Sequence, residues 1–190
     1  AYLCYELVGA ALAAGLYRVV RPGEYAPGAE IGLAAKMVSE FLGTFFLVLT
    51  VGLNVLGESK AAAWSIAASL MCMIYALGSV SGAHFNPAVT IGMLVTGRIG
   101  AKLSVMYIMA QCLASVLAAF LCTQIYPAAA VESANLGIPL PPDTEASGIV
   151  ATVLLAEIIM TFLLVTAVFG TVVDTRGMAA KIGGLGIGLV

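Results

Sequence analysis

Ser81-Gly82-Ala83-His84-Phe85-Asn86-Pro87-Ala88-Val89-Thr90-Ile91-Gly92 lies inside the longest uncharged run of the chain, Ala61 to Gly97, with His84 counted as neutral. That run is 37 residues long, whereas a helix crosses a bilayer in about 20. Roughly 15 apolar residues are left over, too few to cross again and too hydrophobic for a solvent loop. Gly78, Ser79, Ser81, Gly82, Asn86 and Pro87 cluster where the first crossing should end. The run therefore reads as a full span, a break, and a half-helix that re-enters the membrane.

Composition places the whole chain in the bilayer. Of its 190 residues, 62% are hydrophobic and 9% charged, against about 25% charged in soluble domains. Mean hydropathy is +1.08. A net charge of −2 gives no electrostatic case for nucleic acid or for an acidic substrate. Cys4, Cys72, Cys112 and Cys122 sit in apolar runs without CxxC or Cys/His spacing, which marks small packing residues, not disulfides or a metal site. No cofactor is expected. The apolar N-terminus has no basic segment before it and no plain cleavage signal after it, so it is not read as a signal peptide.

Outward from the motif, further spans are expected at Ala1 to Val20, Met37 to Leu56, Ala61 to Val80, Leu103 to about Tyr126, and Gly148 to Val172, with another begun at Ile182. Residues 23–35 form a Gly/Pro/Ala linker, and 132–147 read as an exposed loop. If the chain changes sides at each span, Arg18, Arg21, Lys36, Arg98, Lys102, Arg176 and Lys181 share one face, and Lys60 alone lies opposite. That asymmetry makes the basic face cytoplasmic. It holds only if residues 84–97 return to the side they left.

An internal repeat is visible too. Glu40-Phe-Leu-Gly-Thr-Phe-Phe-Leu-Val-Leu-Thr-Val51 matches Glu157-Ile-Ile-Met-Thr-Phe-Leu-Leu-Val-Thr-Ala-Val168 at six of twelve positions, an offset of 117. Three spans per unit would insert the second copy upside down, a design common in transport proteins. A second broken segment would then fall near position 203, past Val190.

A half-helix opening at Pro87 has well-placed chemistry. Proline suits the first helical position, Asn86 can cap with its oxygen and offer its NH₂ to a solute, and the aligned peptide dipoles carry roughly +0.5 charge there. Such an end repels cations and suits a neutral solute bearing an oxygen acceptor.

Ser81 to Thr90 closely resembles the first Asn-Pro-Ala signature of the aquaporin, or major intrinsic protein, family. Met106-Tyr107-Ile108-Met109-Ala110-Gln111-Cys112 resembles that family's third helix, and Glu40 and Glu157 match its helix-one and helix-four glutamates. The resemblance implies an all-α membrane bundle with a re-entrant half-helix, here an incomplete inverted repeat. It implies a passive channel for water, with small neutral solutes such as glycerol, assembled as a homotetramer and not an enzyme. Asn86, Pro87, Ala88, His84 and Ile66 are the implied pore residues, Ile66 standing where the family places the helix-two member of its filter. Glu40, Glu157 and Gln111 are the implied supports of the pore loops. Residues 36–190 carry the channel-like domain. Residues 1–22 resemble a sixth helix placed before the first, as in a window cut from tandem units or a circular permutation. The alternative function is a non-conducting structural or regulatory membrane protein. An intramembrane enzyme built on Glu40, His84 and Glu157 is disfavoured, because their spacing shows no HExxH or other metal pattern. Two GxxxG pairs, Gly78/Gly82 and Gly184/Gly188, are expected at close helix contacts.

Overall fold

The structure, a computed structural model, describes residues 2–24, 26, 28–127, 131, 146–173 and 183–190. Most of the expected 132–147 loop and the 174–181 turn lie outside the described residues. Among the described residues, five helices are long and apolar enough to cross a membrane: Tyr2–Val20, Leu33–Leu56, Ala62–Ser81, Ala101–Ile125 and Ala151–Thr171. We label the helices α1 (Tyr2–Val20), α2 (Leu33–Leu56), α3 (Ala62–Ser81), α4 (Pro87–Val95), α5 (Ala101–Ile125), α6 (Ala146–Val168) and α7 (Gly183–Gly188). Among the described residues there is no strand.

The half-helix is real. Nine residues of α4 rise about 13 Å, less than half of the roughly 30 Å hydrocarbon core. Two boundaries differ from the sequence reading. Helix α2 starts at Leu33 and not near Met37, because Gly32 is the extended residue at its start (φ −73°, ψ 171°) and no helix breaker follows. Helix α6 passes into one π turn, Phe169–Val173. There the Thr171 hydroxyl donates to the Ala167 carbonyl at 2.6 Å, a back-bond that competes with the regular ladder.

Helix α2 lies at the centre, packed most extensively on α5 and α3. The buried face of α5 reads Ser104, Tyr107, Gln111, Ala114, Ala118 and Cys122, spaced by threes and fours as one helical stripe, with Ala110 buried beside it. Its small members let α2 approach. Between α2 and α3 the bonds are polar: Asn54 Nδ2 donates to Ser65 Oγ at 3.0 Å, and the Thr50 and Ser69 hydroxyls meet at 3.1 Å. Inside a membrane such bonds are worth on average about 0.6 kcal/mol each.

The Gly184/Gly188 pair does pack closely on α3. A Cβ at Gly188 would stand 2.7 Å from the Ala67 carbonyl oxygen, and one at Gly184 2.9 Å from the Tyr75 ring. The Gly78/Gly82 pair does not behave this way. A Cβ at Gly78 would meet Ala83 at 3.7 Å and Ile74 at 4.0 Å, ordinary contacts, and Gly82 is a left-handed helix cap with φ +94°. Its glycine serves the turn, not a helix contact. Helix α1 sits apart, resting on α2 with only Val20 buried. The Arg21 guanidinium ties its exit to α3, donating from Nη2 to the Ala76 carbonyl at 2.8 Å.

Candidate pore constriction

The break after α3 is built from backbone that most residues avoid. Gly82 is left-handed, and so are Ala83 (φ +52°) and Phe85 (φ +48°). Two non-glycine residues in that region each cost of order 1–3 kcal/mol unless the surroundings over-determine them. The surroundings here are Glu40. Its Oε1 accepts from the Ser81 hydroxyl (2.6 Å) and the His84 amide (3.0 Å), and its Oε2 accepts from the Phe85 amide (2.8 Å) and Gln111 Nε2 (2.9 Å). The carboxylate is fully buried. With no water at this depth, unsatisfied loop N–H groups would cost several kcal/mol each, and the glutamate receives them instead.

A second layer holds the first. Gln111 Nε2 also donates to Thr90 Oγ1 at 3.0 Å, and Thr90 Oγ1 donates to the Asn86 carbonyl at 3.1 Å. His84 Nδ1 lies 3.1 Å from the same hydroxyl. Because that hydroxyl spends its one proton on Asn86, Nδ1 must carry the imidazole proton, which leaves Nε2 an acceptor. Tyr107, T-shaped against the His84 ring at 5.2 Å, donates its hydroxyl to the Ser81 carbonyl at 2.9 Å. The Phe85 ring presses on Gly43 so closely that no Cβ could stand there. Gly43→Ala is therefore expected to destabilise the fold by about 1–3 kcal/mol, the usual cost of overpacking. Thermal unfolding in detergent, followed by size-exclusion chromatography of the remaining folded fraction, checks this.

The product of this scaffold is the entry to α4. Asn86 is its extended N-cap, accepting the Ala88 amide on Oδ1 at 2.8 Å, with Pro87 at the first helical position. Among the described residues Asn86 Nδ2 has no partner, and Asn86 lines a cavity of about 20 Å³ together with His84, Leu47, Leu70, Ile74, Val89, Leu164 and Ile187. A void needs about 10–15 Å³ on this scale to hold one water. The cavity has room for about one water. Leu70, Leu164 and Ile187 also wall a wider chamber of about 350 Å³ that Ile66 and Trp64 line.

The structure thus gathers Asn86, Pro87, Ala88, His84, Glu40 and Gln111, and sets Ile66 in the neighbouring chamber. Glu157 is not brought to them. It is exposed on α6 with no partner among the described residues. Ser81, Thr90 and Tyr107 have roles that the sequence reading did not assign. Two spacings point to them: Thr90 is four residues after the cap Asn86, and Tyr107 is four before Gln111, on the same helical face.

Residues 29–190 match the family model described as Major intrinsic protein. The chain belongs to the major intrinsic protein family. Among similar relatives are aquaporin AqpM of Methanothermobacter thermautotrophicus, 32% identical over 82% of this chain and 73% of its own, and aquaporin TIP4-4 of Zea mays, 33% identical over 88% and 69%. Aquaporin NIP1-1 of Zea mays is 31% identical over 80% of this chain, which spans only 54% of that relative. This major intrinsic protein is an integral, multi-pass membrane protein of a channel family, not an enzyme.

Proposed function

We propose that this chain supplies the Asn86 half of a passive channel for water and small neutral solutes. The observation that carries the reading is Asn86, its Nδ2 without a partner among the described residues, lining a cavity of about 20 Å³ at the N-terminus of a half-helix. A water there finds aliphatic walls on most sides and donors at one point. It gives up neighbours, turns its oxygen toward Asn86, and passes in single file. The dipole of α4 opposes cations at the same point. The constriction favours water first. The chamber beside Ile66 has room for a polyol such as glycerol, and its aliphatic walls suit the carbon face of that solute.

Relatives named aquaporins support the same reading. The homotetramer, the cytoplasmic placing of the basic loops, and a bracing role for Glu157 on a second loop belong to it as well. Stopped-flow swelling of proteoliposomes carrying the full-length protein tests it. Osmotic permeability should exceed that of empty vesicles, with a low activation energy. Asn86→Ala should lower it severalfold, because the substitution removes both the donor and a cap worth about 1 kcal/mol. Permeability equal to empty vesicles would overturn the channel reading in favour of a non-conducting membrane protein.

A further inference from the structure

A groove of about 730 Å³ runs between α1 and the α2–α3 pair, walled by Leu12, Leu16, Phe41, Phe45, Met73 and, at one end, Arg21. All of its apolar wall comes from helices that cross the bilayer. Helix α1 precedes residue 29, where the match to the family model begins. Water has nothing to bind along it, since a buried water needs two to four polar partners. Hydrocarbon does. Among the described residues lining the groove, Arg21 alone is charged. Among the described residues only its Nη2 has a partner, the Ala76 carbonyl, out of five guanidinium N–H donors. An apolar trench that ends at a forked cation is complementary to an acyl chain carrying a phosphate, the arrangement by which basic pockets between membrane helices select anionic headgroups.

We propose that this groove binds one acyl chain of an anionic phospholipid, with the headgroup phosphate held by Arg21. The lipid fills the seam that α1 leaves against α2 and fastens α1 to the bundle. The site is separate from the constriction at Asn86, and it stands or falls independently of the channel reading.

The test uses the full chain with its one tryptophan removed (Trp64→Phe) and a new one placed in the groove (Phe46→Trp). The protein is reconstituted in mixtures containing dibrominated phosphatidylglycerol or dibrominated phosphatidylcholine. Quenching of the groove tryptophan should give a binding ratio favouring the anionic lipid by about fivefold, the worth of one basic residue near anionic lipid. Arg21→Gln should bring the ratio to about one, while Arg21→Lys should keep most of it. Arg98→Gln, a basic residue outside the groove, should leave it unchanged. Equal quenching by both lipids would overturn the proposal. So would an Arg98→Gln loss as large as that of Arg21→Gln, which would mean diffuse surface charge. A ratio lost equally in Arg21→Lys would mean that the bond to Ala76 matters and not a phosphate. Absence of quenching by either lipid would mean that a protein segment covers the groove.

Discussion

Glu40→Gln is expected to abolish osmotic permeability and to lower the melting temperature by roughly 10 °C. The side chain keeps its shape, so packing is not the variable. What changes is the count of acceptors. The carboxylate takes two donors on each oxygen. An amide offers one oxygen and turns an NH₂ toward the other pair, so whichever way it is oriented two donors are left facing a donor. Each buried donor without an acceptor costs about 1–3 kcal/mol, and a protein of this size loses about 2–4 °C per kcal/mol. Thermal unfolding in detergent and stopped-flow swelling read the two effects separately. An unchanged melting temperature would mean that the Phe85 ring on Gly43, and not the carboxylate, holds the loop.

Leu164→Trp should cut osmotic permeability by about tenfold or more while leaving stability nearly intact, because hydrophobic constrictions are sensitive to small losses of radius. Leu164 walls both the 20 Å³ cavity and the 350 Å³ chamber. An indole has room to fold into the chamber, so overpacking is mild, yet its bulk occupies the place where the two spaces share a wall. Leu163→Trp provides the control, since Leu163 is 45% exposed on the outer side of α6. Swelling rates at matched protein density check the pair. Equal rates for both variants would place the water path elsewhere.

The spans and the half-helix were legible because they depend on local quantities: the length of uncharged runs, Pro87 after Asn86, and the Gly82 turn. The acceptor role of Glu40 was legible only as a match to a family glutamate. Its four donors come from 41 to 71 residues downstream, and nothing in the spacing of Ser81, His84, Phe85 and Gln111 says that they converge on one carboxylate. Four-residue spacings mark Thr90 and Tyr107 as facing Asn86 and Gln111, but their bonds across elements were illegible for the same reason. The Tyr107 bond to the Ser81 carbonyl and the Gln111 bond to the Thr90 hydroxyl are set by how α5 lies against the loop and α4. Gly78 misled because GxxxG reads the same whether the second glycine continues a helix or caps it. The π turn after Val168 left no mark in the sequence, since Thr171 back-bonding is common in regular helices as well.

The distance along the chain between Glu40 and its partners has a consequence in time. Helix α2 enters the membrane carrying a carboxylate, and the loop donors at Ser81 to Phe85 and the amide of Gln111 have not yet been synthesised. The last of them follows by 71 residues, about 4–14 s at ribosomal rates of about 5–20 residues per second. A charged residue at the centre of a membrane helix costs about 2.5–3.5 kcal/mol during insertion. For those seconds α2 must be carried by its own leucines, phenylalanines and valines, or be sheltered at the translocon. Glu40 gains its last donor only when α5 arrives, so the anchor of the loop is complete only once Gln111 is in the membrane.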